Sequence, residues 1–106
     1  MTTIFGNGSS TSVNGPVSIA TINNPYGISI HPITQEVYIA EWGGENIRGW
    51  NRTSQTVRTV VNLGYPYLPE FLDFLNDGAL FFTVGYRLYK LFTNGMLAFY
   101  KNLFIY

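Results

Sequence analysis

Apolar and polar residues alternate with a period of two through most of this chain, in short runs separated by Gly, Pro, Asn and Asp, and helical spacing is hard to find. Such a pattern predicts an all-β meander. Four runs follow Asn24-Pro25-Tyr26: Gly27 to His31, Glu36 to Glu41, Asn46 to Asn51 and Thr56 to Asn62. The breaks between them, Pro32 to Gln35, Trp42 to Glu45 and Arg52 to Gln55, are short enough to join antiparallel neighbours. From Pro69 the pattern starts again, with Phe71 to Leu75, Ala79 to Val84, Arg87 to Phe92 and Met96 to Lys101. Asn76-Asp77-Gly78 and Asn94-Gly95 are strong hairpin turns, because Asn and Gly tolerate the positive φ such turns require. A further outer strand is expected at Thr2 to Phe5, followed by a small-residue stretch from Gly6 to Pro16 that reads as the most flexible loop. A last strand is expected over residues 102–106.

The two halves align by role. Ile28-Ser29-Ile30 falls on Leu72-Asp73-Phe74, Val37-Tyr38-Ile39 on Leu80-Phe81-Phe82, Ile47-Arg48 on Leu88-Tyr89, and Val57 on Leu97. An internal repeat of roughly 40 residues with four strands per unit is the period of β-propeller blades. A β-sandwich with two sheets of similar length is the competing arrangement, but it has no need for matched turns. The fold expected is therefore all-β: two four-stranded antiparallel blades, over 24–62 and 68–101, plus the extra N-terminal strand. Val37 and Ile39, like Leu80 and Phe82, form one face of a strand whose other face, Tyr38 or Phe81, is also apolar. A strand apolar on both faces is buried on both, as in a blade held between two others.

The stretch Asn24-Pro25-Tyr26-Gly27-Ile28-Ser29-Ile30-His31, with Glu36-Val37-Tyr38-Ile39-Ala40-Glu41 and Asn46-Ile47-Arg48, resembles the NHL repeat, as does Thr3-Ile4-Phe5-Gly6-Asn7-Gly8 as the outer strand of a preceding blade. His31 and Glu41 stand where that pattern usually has Asp. The second unit has Phe71 in place of the early Gly, and its Leu88 to Leu97 stretch is similar to blades of tachylectin-type propeller lectins. Both resemblances imply a propeller. The first implies protein or peptide binding, the second carbohydrate binding, and six blades are the common count for NHL-like repeats.

Composition changes the picture in one respect. Aromatic residues make up 17% of the 106 and charged residues only 11%, which leaves few charges to solvate an exterior. Two blades alone would leave an apolar face open on each side, so the chain is expected to associate with itself head to tail, as a trimer completing a six-bladed ring. Six basic and six acidic residues cancel, which gives no footprint for nucleic acid or an anionic membrane. Without cysteine there are no disulfides or thiolate sites. No signal peptide or apolar run of membrane-spanning length is present, so a soluble, cytoplasmic protein is expected by default. Asn7-Gly8-Ser9 and Asn51-Arg52-Thr53 match the glycosylation acceptor pattern, but no export signal accompanies them.

Candidate chemistry is sparse. His31 is the single histidine, with no second one for a metal site and no triad spacing, so it is expected to stabilise the turn at Pro32. The six carboxylates are scattered, and nothing in the sequence pairs them for acid–base work. Neither a cofactor nor a metal is expected, and the chain is read as binding or assembling rather than catalysing. Trp42, in a Gly-rich turn flanked by Glu41, Glu45 and Asn46, is the best candidate for stacking on a peptide or sugar ligand. Asp73, a carboxylate in an otherwise apolar inner strand, is expected to face a channel or find a partner. Trp50 and Arg48 are expected to pack and to donate hydrogen bonds between strands.

Overall fold

The computed structural model describes residues 11–102 and shows nine strands. They are β1 (Gly15–Pro16), β2 (Pro25–Ile30), β3 (Val37–Glu41), β4 (Asn46–Asn51), β5 (Thr56–Asn62), β6 (Pro69–Phe74), β7 (Leu80–Val84), β8 (Arg87–Leu91) and β9 (Leu97–Asn102). Two antiparallel sheets result, ordered β1-β5-β4-β3-β2 and β6-β7-β8-β9. They are two blades in which β2 to β5 and β6 to β9 pair consecutively through short turns, with β1 added beside β5. The outer strand expected at Thr2 to Phe5 and the C-terminal strand from Leu103 lie outside the described residues.

Strand register supports the alignment of the two halves. In blade one the cross-strand rows run Ile28–Ile39–Arg48–Thr59 and Ile30–Val37–Trp50–Val57. In blade two they run Leu72–Phe82–Tyr89–Phe99 and Phe74–Leu80–Leu91–Leu97. Each blade carries a bulge at the same step, between Ile47 and Arg48 and between Leu88 and Tyr89. A bulge at a fixed position strengthens local twist, and blades that stack side by side need matching twist.

The core is the seam between the blades. Tyr38, Ala40 and Ile47 of blade one meet Leu80, Phe82 and Val84 of blade two, with Leu72, Phe74 and Leu91 packed around them. Tyr38 and Phe74 meet edge to face, 4.9 Å between centroids. The inner strands also approach closely. A Cβ on Gly27 would lie 2.2 Å from the Glu70 carbonyl oxygen, so that position on β2 admits only glycine unless β6 moves.

The stretch read as a flexible loop behaves otherwise over its described end. Gly15 and Pro16 pair with Val57 and Thr56 as a fifth, outermost strand of blade one. Val13 pairs with Thr21, and Ala20 and Thr21 are buried. The chain thus crosses one face of blade one from its outer edge to its inner strand before β2 begins. Short polar residues were the reason for the loop reading, and their hydrogen bonds to that face are what hold the crossing in place.

Candidate functional site

Beneath this crossing lies a buried charge pair. Glu41 and Arg48 are both fully buried, and Arg48 Nη1 donates to Glu41 Oε2 at 2.5 Å. The Glu41 carboxylate also accepts from Ser12 Oγ, the Asn23 backbone N–H and Asn46 Nδ2. Arg48 donates in addition to the Thr21 and Val13 carbonyls and to Asn14 Oδ1. A buried ion pair persists only when most of its remaining lone pairs and protons find partners. The crossing segment and Asn46 supply them at every position but Arg48 Nε, which is buried without one among the described residues. Arg48 is thus the hydrogen-bond donor it was expected to be. Glu41 and Asn46, expected beside a ligand, are buried in this network instead, because the arriving backbone consumes their hydrogen-bonding capacity.

Trp42 projects from the same turn with 39% of its surface exposed, beside a cleft of about 420 Å³. Tyr67, Glu70, Tyr86 and Arg87 share that cleft, so it opens at the blade seam. Glu45 adopts φ 55° to close the turn and is half-buried. Asp73 is exposed on β6, paired across the strands with Phe81, on the side of blade two that faces away from blade one. The structure therefore does not bring Asp73 together with Trp42, Glu45, or the buried Glu41 and Asn46.

A second cleft opens at the opposite end of the seam, about 530 Å³ in volume. It is lined by His31, Tyr38 and Arg58 from blade one and by Asp77, Gly78 and Phe92 from blade two. His31 Nδ1 accepts from the backbone N–H groups of Ile33 and Thr34, at 3.1 and 3.2 Å, which is the turn role expected of it. Its ring packs on Phe74, centroids 5.0 Å apart, and lies 6.0 Å from that of Tyr38. Arg58 grips the nearly buried Glu36 with Nε and Nη2, at 3.0 and 2.7 Å, and Nη2 reaches the Tyr38 hydroxyl at 3.2 Å. Burial pushes the Tyr38 phenol above its ordinary value against the pull of Arg58, so it stays protonated at neutral pH. Hydrogen bonding to Glu36 raises Arg58 further. Sequence reasoning missed this grouping. Its signal was a charge placed inside or beside each of two apolar strands, Glu36 ahead of Val37 and Arg58 next to Val57.

Among the described residues no group of His, Asp and Glu is arranged to hold a metal ion, and no helix is long and apolar enough to cross a membrane.

No protein-family model and no curated protein matches the sequence. Among solved structures the chain is similar to virginiamycin B lyase from Staphylococcus aureus, at 19% identity over 73% of this chain and 26% of that one, TM-score 0.62. It is similar also to a streptogramin B lyase, at 19% identity over 83% and 29%, TM-score 0.65. A third likeness is to a catalytically inactive variant of the S. aureus lyase with quinupristin, at 23% identity over 77% and 29%, TM-score 0.63. The lyases are β-propellers, and the likeness supports the propeller fold shared by both sequence resemblances. The chain spans little more than a quarter of their length. The expectation of binding or assembly without catalysis is corrected here, because the solved structures that this chain resembles in fold are those of enzymes.

Proposed function

We propose that this chain is a blade pair that closes head to tail with further copies of itself into a propeller ring, three copies giving six blades, and that the ring is a scaffold for peptide ligands. The observation that carries this reading is an equivalence between an exposed face and a buried one. On blade one, Ile28 and Ile30 are 69% and 49% exposed. They occupy the register positions that Leu72 and Phe74 occupy on blade two, where the same face is packed against blade one. On the other side of the pair, Phe81, Thr83 and Lys90 of blade two stand where blade one has Tyr38, Ala40 and Gly49, its seam face. A second copy docked head to tail sets the Phe81 face against the face of Ile28 and Ile30. On the latter face the crossing from Val13 to Asn23 lies over Glu41 and Arg48, where the internal seam has Leu63 and Tyr67. Such a heterologous contact closes when its rotation divides a full turn.

Light scattering tests the ring. The expected mass is three times that of the chain, and Phe81→Glu, on the exposed side of blade two, should return a folded monomer. A monodisperse wild-type monomer overturns the ring. For the peptide scaffold, Trp42→Ala should weaken peptide binding at least tenfold without altering the mass. A glycan array that lights up while peptides fail would move the scaffold to the lectin class.

A second reading rests on the likeness to the lyases: the assembled blades act on a ligand of the quinupristin kind. Incubation with quinupristin, followed by chromatography for loss of the intact compound, decides it.

A further inference from the structure

The cleft formed by His31, Tyr38 and Arg58 presents hydrogen-bond donors with no acceptor among the described residues. Because His31 Nδ1 accepts two backbone N–H bonds, the neutral ring carries its proton on Nε2. That Nε2–H faces Gly78, and a Cβ there would lie 2.9 Å from it, so the glycine leaves the donor accessible. Tyr38 receives a bond from Arg58 and has its own O–H left to give. Arg58 spends Nε and Nη2 on Glu36 and Tyr38, which leaves Nη1. Three donors converge on one cleft.

The charges do not select an anion. The Arg58 guanidinium is neutralised by Glu36 at 2.7 Å, and the remaining charge at the rim is the Asp77 carboxylate, one oxygen of which is held by the Ala79 N–H. A free carboxylate would meet Asp77 and Glu36 as well as Arg58, whereas a neutral carbonyl accepts from all three donors without that repulsion. The walls between the donors are aliphatic: Ile33, Val60, Val61, Leu80 and Leu91. An apolar side chain fills such a wall better than a hydroxyl-covered sugar ring.

We propose that this cleft binds a neutral peptide segment, seating one apolar side chain between the blades while its backbone carbonyls accept from His31 Nε2, the Tyr38 hydroxyl and Arg58 Nη1. The inference rests on the peptide-binding part of the proposed function but not on ring closure, which light scattering reports separately. It also places a peptide contact at the end of the seam opposite Trp42.

The test uses N-acetyl-phenylalaninamide as the probe, titrated into the full chain and followed by amide NMR. Expected are saturable shifts at Gly78, Val60, Val61 and Leu91, at millimolar concentration. Tyr38→Phe removes only the hydroxyl, and His31→Asn keeps an acceptor for the turn while removing the Nε2 donor. Each should weaken the probe at least threefold with the amide spectrum otherwise preserved. Shifts confined to the Trp42 cleft, or equal affinity in both variants, overturn the proposal. So does tighter binding of N-acetyl-phenylalanine, whose free carboxylate tests the charge argument, or of methyl glucoside, which tests the wall argument. Trp42→Ala losing peptide affinity while this cleft stays silent would retain a peptide scaffold and sink this site alone.

Discussion

In blade one the segment that arrives at the inner strand is fastened by a buried charge pair, and in blade two by apolar contact. Register makes Glu41 the counterpart of Val84 and Arg48 the counterpart of Tyr89. Over Glu41 and Arg48 runs the crossing from Val13 to Asn23, hydrogen-bonded to them at Val13, Asn14, Thr21 and Asn23. Beside Val84 and Tyr89 runs the linker from β5 to β6, which contributes Leu63 and Tyr67 instead. The same place in two repeats is thus sealed by two kinds of chemistry. Hydrogen bonds fix where the Val13 and Thr21 carbonyls and the Asn23 N–H lie, while apolar packing needs only volume, so blade one holds its arriving chain in a defined register.

The largest loss is expected when one charge of the buried pair is removed. Arg48→Ala leaves the buried Glu41 without its cationic partner, and the expected loss is about 3–5 kcal/mol of stability, read from a denaturant midpoint. The double variant Glu41→Val with Arg48→Tyr writes blade two's chemistry into blade one. It should be more stable than Arg48→Ala, because no uncompensated charge remains buried. If the double variant is the worse of the two, the pair is not what fastens the crossing.

The inner strands of the two blades differ as well. Gly27 of β2 stands where β6 has Phe71, and the two positions differ in what lies behind them. Behind Gly27 is the backbone of Glu70 and Phe71. Phe71 itself is 59% exposed and meets Tyr26 edge to face at 5.3 Å. Glycine is thus used where a neighbouring inner strand presses close. Gly27→Ala should cost roughly 1–3 kcal/mol, the range for forced overpacking, whereas Phe71→Ala should cost less because its ring is mostly solvated. Equal losses would show that the close approach of β2 and β6 is not a constraint.

Much of this was legible in the residues. Period-two alternation and the Asn-Gly and Asp-Gly turns placed eight strands near their observed positions, and pairing roles between halves located the repeat to the residue, since register follows from the hydrophobic face. Long-range contact was not legible. Arg48 reaches Val13 and Asn14 across about 35 residues of sequence, so nothing near Gly6 to Pro16 announced that its end would be ordered. For the same reason Glu41 and Asn46 read as turn residues open to a ligand, when their partners come from a distant segment. The cleft at His31, Tyr38 and Arg58 was hidden likewise, being assembled from two blades. Catalysis in proteins of similar fold was illegible for a different reason: a site is a constellation grafted on a fold, and the fold pattern says nothing of it.

The smallest expected effect distinguishes the two blades by pH. Tyr38, on blade one's seam face, is the counterpart of Phe81 on blade two, which has no proton to lose. Burial, partly opposed by Arg58, raises the Tyr38 phenol above its ordinary value. In the unfolded chain that phenol ionises near pH 10, as free tyrosine does. The folded protein therefore holds the proton after the unfolded chain has released it. The stability from this group is complete below about pH 10 and is lost as pH rises through the folded value. Arg58, held charged chiefly by its hydrogen bonds to Glu36, titrates above the tyrosine range, and its contribution does not change in this window. Denaturant midpoints measured from pH 7 to pH 11 should hold level and then fall above about pH 10. Tyr38→Phe, which gives blade one the residue blade two already has, should make that fall shallower. An identical fall in the variant would assign the alkaline loss to other groups and leave the two seam positions equivalent in their response to pH.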